Sequence, residues 1–170
     1  MPMPHLTSAQ IAQVSELATH YISTQREKYA PRAVGLSAQQ RAFTTGFFSP
    51  QVLESTRVLV LQGERVANPD FYSMLRSLGF SNLPDQSMMA AITFSDVVVS
   101  HEPFSGGLLF HELVHVEQYR QLGIPRFSEL YVRGFLAGGR YGAIPLEVNA
   151  YTLGGRFELI PLDTSLWLMK

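Results

Sequence analysis

The stretch SGGLLFHELVHVEQYRQLG, residues 105–123, contains the pattern His-Glu-x-x-His at positions 111–115. Residues four apart lie one above the other on a helix, so the imidazoles of His111 and His115 can reach one ion. Glu112 is turned by about 100° around the helix axis, which takes its carboxylate off the metal but leaves it near a metal-bound water. The pattern therefore predicts two neutral histidine ligands and a glutamate that acts as a general base.

The residues around the motif predict a buried helix. Apolar side chains fill most positions from 108 to 116 and leave no broad polar face. Arg120 in the last turn, Gly123 after it and Pro125 beyond predict where the helix ends. Two histidines and a glutamate are costly to bury without partners, and a metal ion would be such a partner. The alternative is a chance match in which both histidines are hydrogen-bonded core residues.

The composition limits both the partners and the metal ligands of the protein. The 170 residues carry a formal net charge of −1, which gives no electrostatic reason to expect binding to nucleic acid or to an anionic membrane. The chain has no cysteine, so a metal site must use histidine and carboxylate ligands. No signal peptide is visible and the apolar runs are too short to span a bilayer, so we expect a cytoplasmic protein, with export by other routes left open.

The length suits one domain, 1–170, in which we distinguish a region of helices and a strand, 1–89, from a metal-site core, 90–158. Helical spacing and capping residues predict the helices, and β-branched apolar runs predict the buried strands. The predicted helices cover 7–29, 37–46, 68–77, 105–122, 127–137 and 145–158, and the predicted strands cover 56–62 and 90–100. Ser128 is expected to cap the fifth helix, and Gly138-Gly139 to end it.

The second predicted strand, AAITFSDVVVS, comes shortly before the motif helix. Thr93, Ser95 and Asp96 interrupt its apolar run, which suits a strand with one side partly open. An edge strand beside a metal cleft can pair with an extended peptide through main-chain hydrogen bonds. The alternative is an internal strand that only packs the core. His101, directly after this strand, either stabilises a transition state or is solvated, and we expect it to be solvated.

A catalytic zinc site has three protein ligands and a water, so the two histidines need a third partner, and a glutamate is a standard choice. Glu147 suits this role because it lies at the start of the last predicted helix, where a small residue at position 150 allows a close approach to another helix. The rival carboxylates are less suited. Glu117 points to a different face of the motif helix, Glu129 begins a helix that we expect to pack outside, and Glu158 lies near a helix end.

The sequence HELVH followed by a glutamate on a later helix resembles the zincin metallopeptidases, specifically their gluzincin branch. More narrowly, GLLFHELVHVEQYRQLG with IPLEVNAY downstream is similar to small bacterial domains that are described as metallopeptidases. The resemblance covers roughly 90–151 and implies an α+β, zincin-like fold, with a small mixed sheet, an edge strand beside the HExxH helix and mostly helices otherwise. It implies Zn²⁺ as the cofactor, with His111, His115 and Glu147 as its ligands.

The chain departs from better-known relatives at several positions. Gln118 and Gln121 stand where the metzincin pattern has its glycine and its third histidine, so that pattern is absent. Some gluzincins carry an acid four residues after the ligand glutamate, which orients a zinc histidine, and here that position is Tyr151. The sequence therefore assigns no hydrogen-bond partner to the zinc histidines.

The resemblance implies a zinc-dependent metallopeptidase that hydrolyses bonds in peptide or protein substrates. Zinc polarises the scissile carbonyl, and Glu112 takes a proton from the water and passes it to the leaving amine. The oxyanion needs a further hydrogen-bond donor, for which the candidates are Tyr131, Tyr141, Tyr151, Arg140 and His101. The alternatives are a zinc-binding but non-proteolytic module of a larger toxin or secretion-associated assembly, a hydrolase of non-peptide amides, and a metal-free domain. The sequence specifies no oligomeric state.

Overall fold

The computed structural model describes residues 3–159 of the chain. In this part of the chain helices and strands combine in an α+β arrangement, which confirms the predicted class. The helices are α1 (Ser8–Tyr29), α2 (Ala38–Thr44), α3 (Pro50–Ser55), α4 (Tyr72–Ser77), α5 (Gly106–Gly138) and α6 (Pro145–Leu159). The strands are β1 (Val34–Gly35), β2 (Arg57–Val60), β3 (Ala91–Phe94) and β4 (Val97–Ser100).

The strands form one sheet in the order β1-β2-β4-β3. β2 and β4 are parallel, whereas β1 pairs antiparallel with β2 and β3 pairs antiparallel with β4. The sheet is therefore small and mixed, as predicted, and β3 lies at one edge of it. At the other edge β1 is only two residues long, which leaves little unpaired backbone there.

The prediction of one continuous strand over 90–100 is wrong. The chain reverses at Ser95 and Asp96, so that β3 and β4 form an antiparallel hairpin. Ser95 has a φ of 62°, a left-handed conformation that a β-branched residue would adopt less readily. The Asp96 carboxylate accepts hydrogen bonds from Arg26 of α1, at 2.5 and 3.1 Å, which hold the turn in place. Ser95 and Asp96, which suggested an open strand face, mark a turn.

The sheet is buried between helices on its two faces. One face presents Val58 and Val98 to α5, where Leu113 is completely buried. The other face presents its apolar side chains to α1, in a cluster that includes Tyr29. The three valines at 97–99 of β4 are completely buried, and each contributes about 1.5–3 kcal/mol through burial. A strand covered on both faces reads as a continuous apolar run, as β4 does.

Helix α5 breaks where the sequence predicts, at Gly123, whose φ of 76° and ψ of 162° are not helical. The helix resumes at once, so α5 has two halves, and Pro125 is tolerated because it lies in the first turn of the second half. Ser128 does not cap this half, contrary to the prediction. It lies within the helix rather than at its start. Its side chain is buried, and its hydroxyl donates a hydrogen bond to the Ile124 carbonyl at 2.8 Å. Gly139, with a φ of 72°, ends the helix as predicted.

The starts of α1, α2 and α6 agree with the predicted ones. Thr7 and Gln10 exchange hydrogen bonds between side chain and backbone at the start of α1, and Ser37 and Gln40 do the same for α2. Pro145 is the first residue of α6, where its missing N–H group is not needed. Among the helices of residues 3–159, none combines the length and the apolar character that crossing a membrane requires.

Candidate metal centre

The first half of α5 and the first turn of α6 bring the three predicted ligands together. His111 and His115 project from α5, and Glu147 lies in the first turn of α6. The two helices pack closely because Ala150 is completely buried against Phe110 of α5. Residues three apart share a helix face, so the face that buries Ala150 also directs Glu147 towards α5.

The ligand atoms of this group lie within 4.8 Å of one another. The Nε2 atoms of His111 and His115 are 3.2 Å apart, and the carboxylate of Glu147 lies 3.6 Å from the first and 2.6 Å from the second. Tetrahedral ligands at about 2.1 Å from an ion are about 3.4 Å apart, so two of these spacings fit a bound metal. The third is a hydrogen-bond distance that would lengthen on metal binding. The group is compatible with a metal ion, without identifying the element.

His115 and Glu147 form a buried ion pair, and each changes the pKa of the other. Burial alone would lower the pKa of His115, but the hydrogen bond and charge of Glu147, with the charge of Glu112, raise it above its usual value. Burial alone would raise the pKa of Glu147, but hydrogen bonds with His111 and His115 hold it below its usual value. Both shifts favour a protonated His115 against an ionised Glu147, and a divalent cation can take the place of that proton.

Glu112 is anchored to the sheet. It is only 4% exposed, and the hydroxyl of Thr93 on the edge strand β3 donates to its Oε2 at 2.6 Å. The carboxylate is thus held between α5 and β3, beside the ligand histidines that precede and follow it on the helix. In the sequence Thr93 is visible only as a polar interruption of an apolar strand. A polar residue on an apolar strand indicates a buried hydrogen bond, but only the structure shows that its partner is Glu112.

Gln118 contacts Nδ1 of His115, the ring nitrogen that does not face the other ligands. The sequence did not point to this contact. Its Oε1 lies 2.8 Å from Nδ1 of His115, and its Nε2 donates to the Leu146 carbonyl at 3.0 Å and to Asn149 Oδ1 at 3.1 Å. The available signal was its position, three residues after His115 on the same helix, where side chains meet. Gln118 therefore links the motif helix to the start of α6.

The three candidate tyrosines all lie at or near the group. The hydroxyl of Tyr141 donates to the Glu147 carboxylate. The ring of Tyr151 lies 4.5 Å from that of His111, measured between centroids, and this tyrosine is 56% exposed. Tyr131 lines a cavity next to the ligands. Burial and the charge of Glu147 raise the pKa of both Tyr141 and Tyr151, so both remain neutral hydrogen-bond donors.

We expected His101 to be solvated, but it is not. It is also not available to stabilise a transition state. It is partly buried, its Nε2 accepts a hydrogen bond from the Val66 N–H at 3.0 Å, and its Nδ1 lies 2.6 Å from the Met89 carbonyl. Because the Val66 N–H can only donate and the carbonyl can only accept, Nδ1 carries the proton. Both ring nitrogens are thus engaged by the backbone, and the residue joins two loops.

The rival carboxylates Glu117 and Glu129 are not part of the group. Arg140 is exposed. Glu117 and Glu129 form ion pairs with neighbouring arginines along α5, at 2.7 to 3.0 Å, which explains them as surface residues of that helix. The side chain of Glu158 lies outside the described residues.

A cavity of about 160 Å³ adjoins the ligands. Its walls come mainly from apolar side chains of α1, β3 and the second half of α5, among them Ile22, Ile92 and Phe135. Glu112, His115 and Glu147 also line it and are polar. An apolar group in this cavity would therefore lie beside both the metal ligands and the candidate base.

Comparison of the chain with protein-family models, with curated proteins and with solved structures finds no match. The membership in the zincins therefore stays a prediction from the residues quoted above. The chemistry of the site rests on its own atoms: two imidazole nitrogens and a carboxylate that converge, a second buried carboxylate beside them, and an apolar cavity next to both.

Proposed function

We propose that this protein is a zinc-dependent metallopeptidase of the gluzincin type. One observation carries the proposal: His111, His115 and Glu147 come from two different helices and meet in one buried group, with Glu112 anchored beside them. A chance match to His-Glu-x-x-His gives no reason for a third ligand to arrive at the same point.

The donor set favours zinc over the other common biological cations. Two imidazole nitrogens and one carboxylate are a standard catalytic zinc set that leaves a fourth position for water. Calcium and magnesium prefer shells made of oxygen ligands, which two histidines do not provide. The chain has no cysteine, so no thiolate site competes for the metal.

The proposed reaction is hydrolysis of an amide bond. Zinc, when bound, supplies the polarisation of the carbonyl and lowers the pKa of coordinated water to about 7. Glu112 accepts a proton from the attacking water and then donates it to the nitrogen of the leaving amine. The water oxygen bonds to the carbonyl carbon and the C–N bond then breaks. The second water proton passes from the new carboxyl group to the amine, so the products at neutral pH are a carboxylate and an ammonium ion. Thr93 holds the Glu112 carboxylate through both proton transfers.

Tyr151 is the oxyanion donor that we propose among the candidates. It lies against His111 and is exposed, so its hydroxyl can meet a substrate that enters from solvent. Tyr141 already donates to Glu147, which makes it a support for a ligand. A Tyr151→Phe variant should keep its metal and lose about 10²–10³-fold in kcat, the usual effect of removing one oxyanion donor.

The first test is the metal content of protein purified without chelator, measured by elemental analysis. We expect about one zinc per chain in the wild type, because the site offers three protein ligands. Zinc should fall sharply in Glu147→Ala and stay in the matched Glu129→Ala, whose glutamate pairs with the exposed Arg126 and Arg133. A wild type that takes up no zinc, even on reconstitution, would overturn the proposal.

The second test separates an enzyme from a zinc-binding scaffold. Glu112→Gln keeps the size of the side chain and removes the base, so turnover of a peptide library should disappear while the zinc content and fold remain. A zinc-loaded wild type that cleaves no peptide would favour the non-proteolytic module.

A second candidate function, hydrolysis of small non-peptide amides, is favoured by the size of the cavity. About 160 Å³ accommodates one ring or branched chain rather than several substrate residues. Assays should therefore include N-acylated amines with a single apolar group. Cleavage of these compounds without cleavage of peptides would select this function.

A further inference from the structure

We infer that Gln118 is the positioning residue of the metal centre, acting on His115 and on Glu147 at the same time. This inference rests on the metal site of the proposed function. It supplies the hydrogen-bond partner that sequence analysis could not assign to a zinc histidine.

The contact with His115 selects the tautomer that binds metal. The Oε1 atom of Gln118 can only accept a hydrogen bond, and it lies 2.8 Å from Nδ1 of His115. The proton of the neutral ring is therefore placed on Nδ1, and the lone pair is left on Nε2, the atom that points at His111 and Glu147. A histidine ligand whose other nitrogen is held in this way loses less freedom on binding metal.

The orientation of the Gln118 amide follows from its other contacts. Its Nε2 faces two acceptors, the Leu146 carbonyl at 3.0 Å and Asn149 Oδ1 at 3.1 Å. A flipped amide would set oxygen against the oxygen of the Leu146 carbonyl and would turn its NH₂ towards Nδ1. Only the observed orientation satisfies all three contacts while Nδ1 of His115 carries its proton.

The contact with Leu146 controls the third ligand. Leu146 directly precedes Glu147 in the first turn of α6, so a hydrogen bond to its carbonyl fixes that turn against α5. Loss of this bond would let the start of α6 move, and the Glu147 carboxylate would move with it. One neutral side chain thus aligns ligands from two helices without adding charge to the site.

The test is the zinc dissociation constant, measured by competition with a chromophoric chelator. Gln118→Leu should weaken zinc binding by about 10- to 100-fold, the usual effect of removing such a partner. The matched control is Gln121→Leu, which changes an exposed glutamine one turn further along α5 that contacts Glu117. The control should stay within about 2-fold of the wild type, because Gln121 is exposed and its side chain contacts Glu117 on the surface of α5.

A second readout reports on the histidine itself. In a ¹⁵N-histidine spectrum of the zinc-loaded wild type, the Nδ1–H proton of His115 should be visible and protected from exchange with water. In Gln118→Leu it should exchange rapidly. Gln118→Glu restores an acceptor for this proton but not the two donors, so it should recover the protected signal and bind zinc more tightly than Gln118→Leu.

The outcomes separate this inference from the proposed function. A wild type without zinc overturns the proposed function. A wild type that binds zinc, together with a Gln118→Leu variant of equal affinity and unchanged Nδ1–H exchange, overturns only the role of Gln118. If the leucine variant does not fold, Gln118→Glu decides: a retained Nδ1–H signal supports the inference, and its loss in a folded, zinc-loaded protein contradicts it.

Discussion

At the scale of single residues, the buried polar side chains of the site are held by specific partners. Glu112 is 4% exposed, Glu147 2% and His115 5%, and each has a hydrogen-bond partner. A buried donor or acceptor that loses its partner costs about 1–3 kcal/mol. Two of these partners, Thr93 and Gln118, lie outside the His-Glu-x-x-His motif, so substitutions there test the site without removing a ligand or the candidate base.

Thr93→Val tests the partner of the candidate base. Valine has nearly the same shape but no hydroxyl, so Glu112 loses its hydrogen bond and its fixed orientation. We expect kcat to fall by about 10- to 100-fold through misplacement of the carboxylate, with the zinc content unchanged. Thr93→Ser keeps the hydroxyl and should retain most of the activity. Equal losses in the two variants would show that the methyl group matters, not the hydrogen bond.

The pH dependence of stability tests the ion pair in chelator-treated protein. Because the pKa of His115 is raised, its contribution is full below about pH 6.5 and is lost as the pH rises through the raised value. Because the pKa of Glu147 is lowered, its contribution is full above about pH 4.3 and is lost as the pH falls through the lowered value. The free energy of unfolding of wild type minus that of Glu147→Gln should therefore peak between these limits in a series of urea titrations. A difference that keeps growing above neutral pH would contradict the pair.

At the scale of elements, the site depends on how closely the second half of α5 approaches the residues that lead into α6. A Cβ added at Gly134 would lie 2.7 Å from Cδ of Pro145, the first residue of α6, and 3.3 Å from Cγ2 of Ile144. A Cβ added at Gly138 would lie 2.5 Å from that of Ala143. These two glycines, one turn apart, leave room for the chain that positions Glu147.

Gly134→Ala tests this close approach. The added methyl must displace Pro145 and with it the first turn of α6, so we expect weaker zinc binding by at least about 5-fold and a loss of about 1–3 kcal/mol of stability. That loss should exceed the gain in helix propensity, about 1 kcal/mol. The control is Gly142→Ala, whose new Cβ would meet nothing within 4 Å. Both quantities can be read from zinc competition and urea unfolding, and an unaffected Gly134→Ala would show that α6 is placed by other contacts.

At the scale of the whole molecule, residues 1–89 and the motif region build one site together. The cavity beside the ligands takes walls from α1 and from the segment around α4, as well as from β3 and α5. The N-terminal region, which carries no family resemblance, therefore shapes the space that a substrate would enter. We expect it to select substrates with one apolar group.

Hydroxamates that share a zinc-binding group but differ in size test this selection. A cavity of about 150 Å³ can hold a benzene ring, so benzohydroxamate should bind the zinc-loaded protein at least about 10-fold more tightly than acetohydroxamate. Val132→Phe places a larger side chain in the cavity wall and should remove this preference while leaving acetohydroxamate binding unchanged. Equal affinities of the wild type for both compounds would show that the cavity does not accept a ring.

Several features could be predicted because they depend on residues only a few positions apart. Examples are the helical placement of His111 and His115, the starts of α1 and α2 near Thr7 and Ser37, the break at Gly123 and the start of α6 at Pro145. Backbone conformation and side-chain caps act within one turn, so neighbouring residues suffice to specify them. Ser128 failed as a cap for the same local reason, since the helix had already begun at the preceding break.

Other features required the packing of distant elements. The turn at Ser95 and Asp96, the bond from Thr93 to Glu112 and the link from Gln118 to α6 each join residues whose approach depends on which faces are buried together. The sequence favoured Glu147 over several other carboxylates as the third ligand. Its position beside the histidines follows from the packing of α6 on α5 through Ala150. Apolar burial acts over the whole chain and is not directional, so local patterns predict the helices while tertiary packing decides which side chains meet.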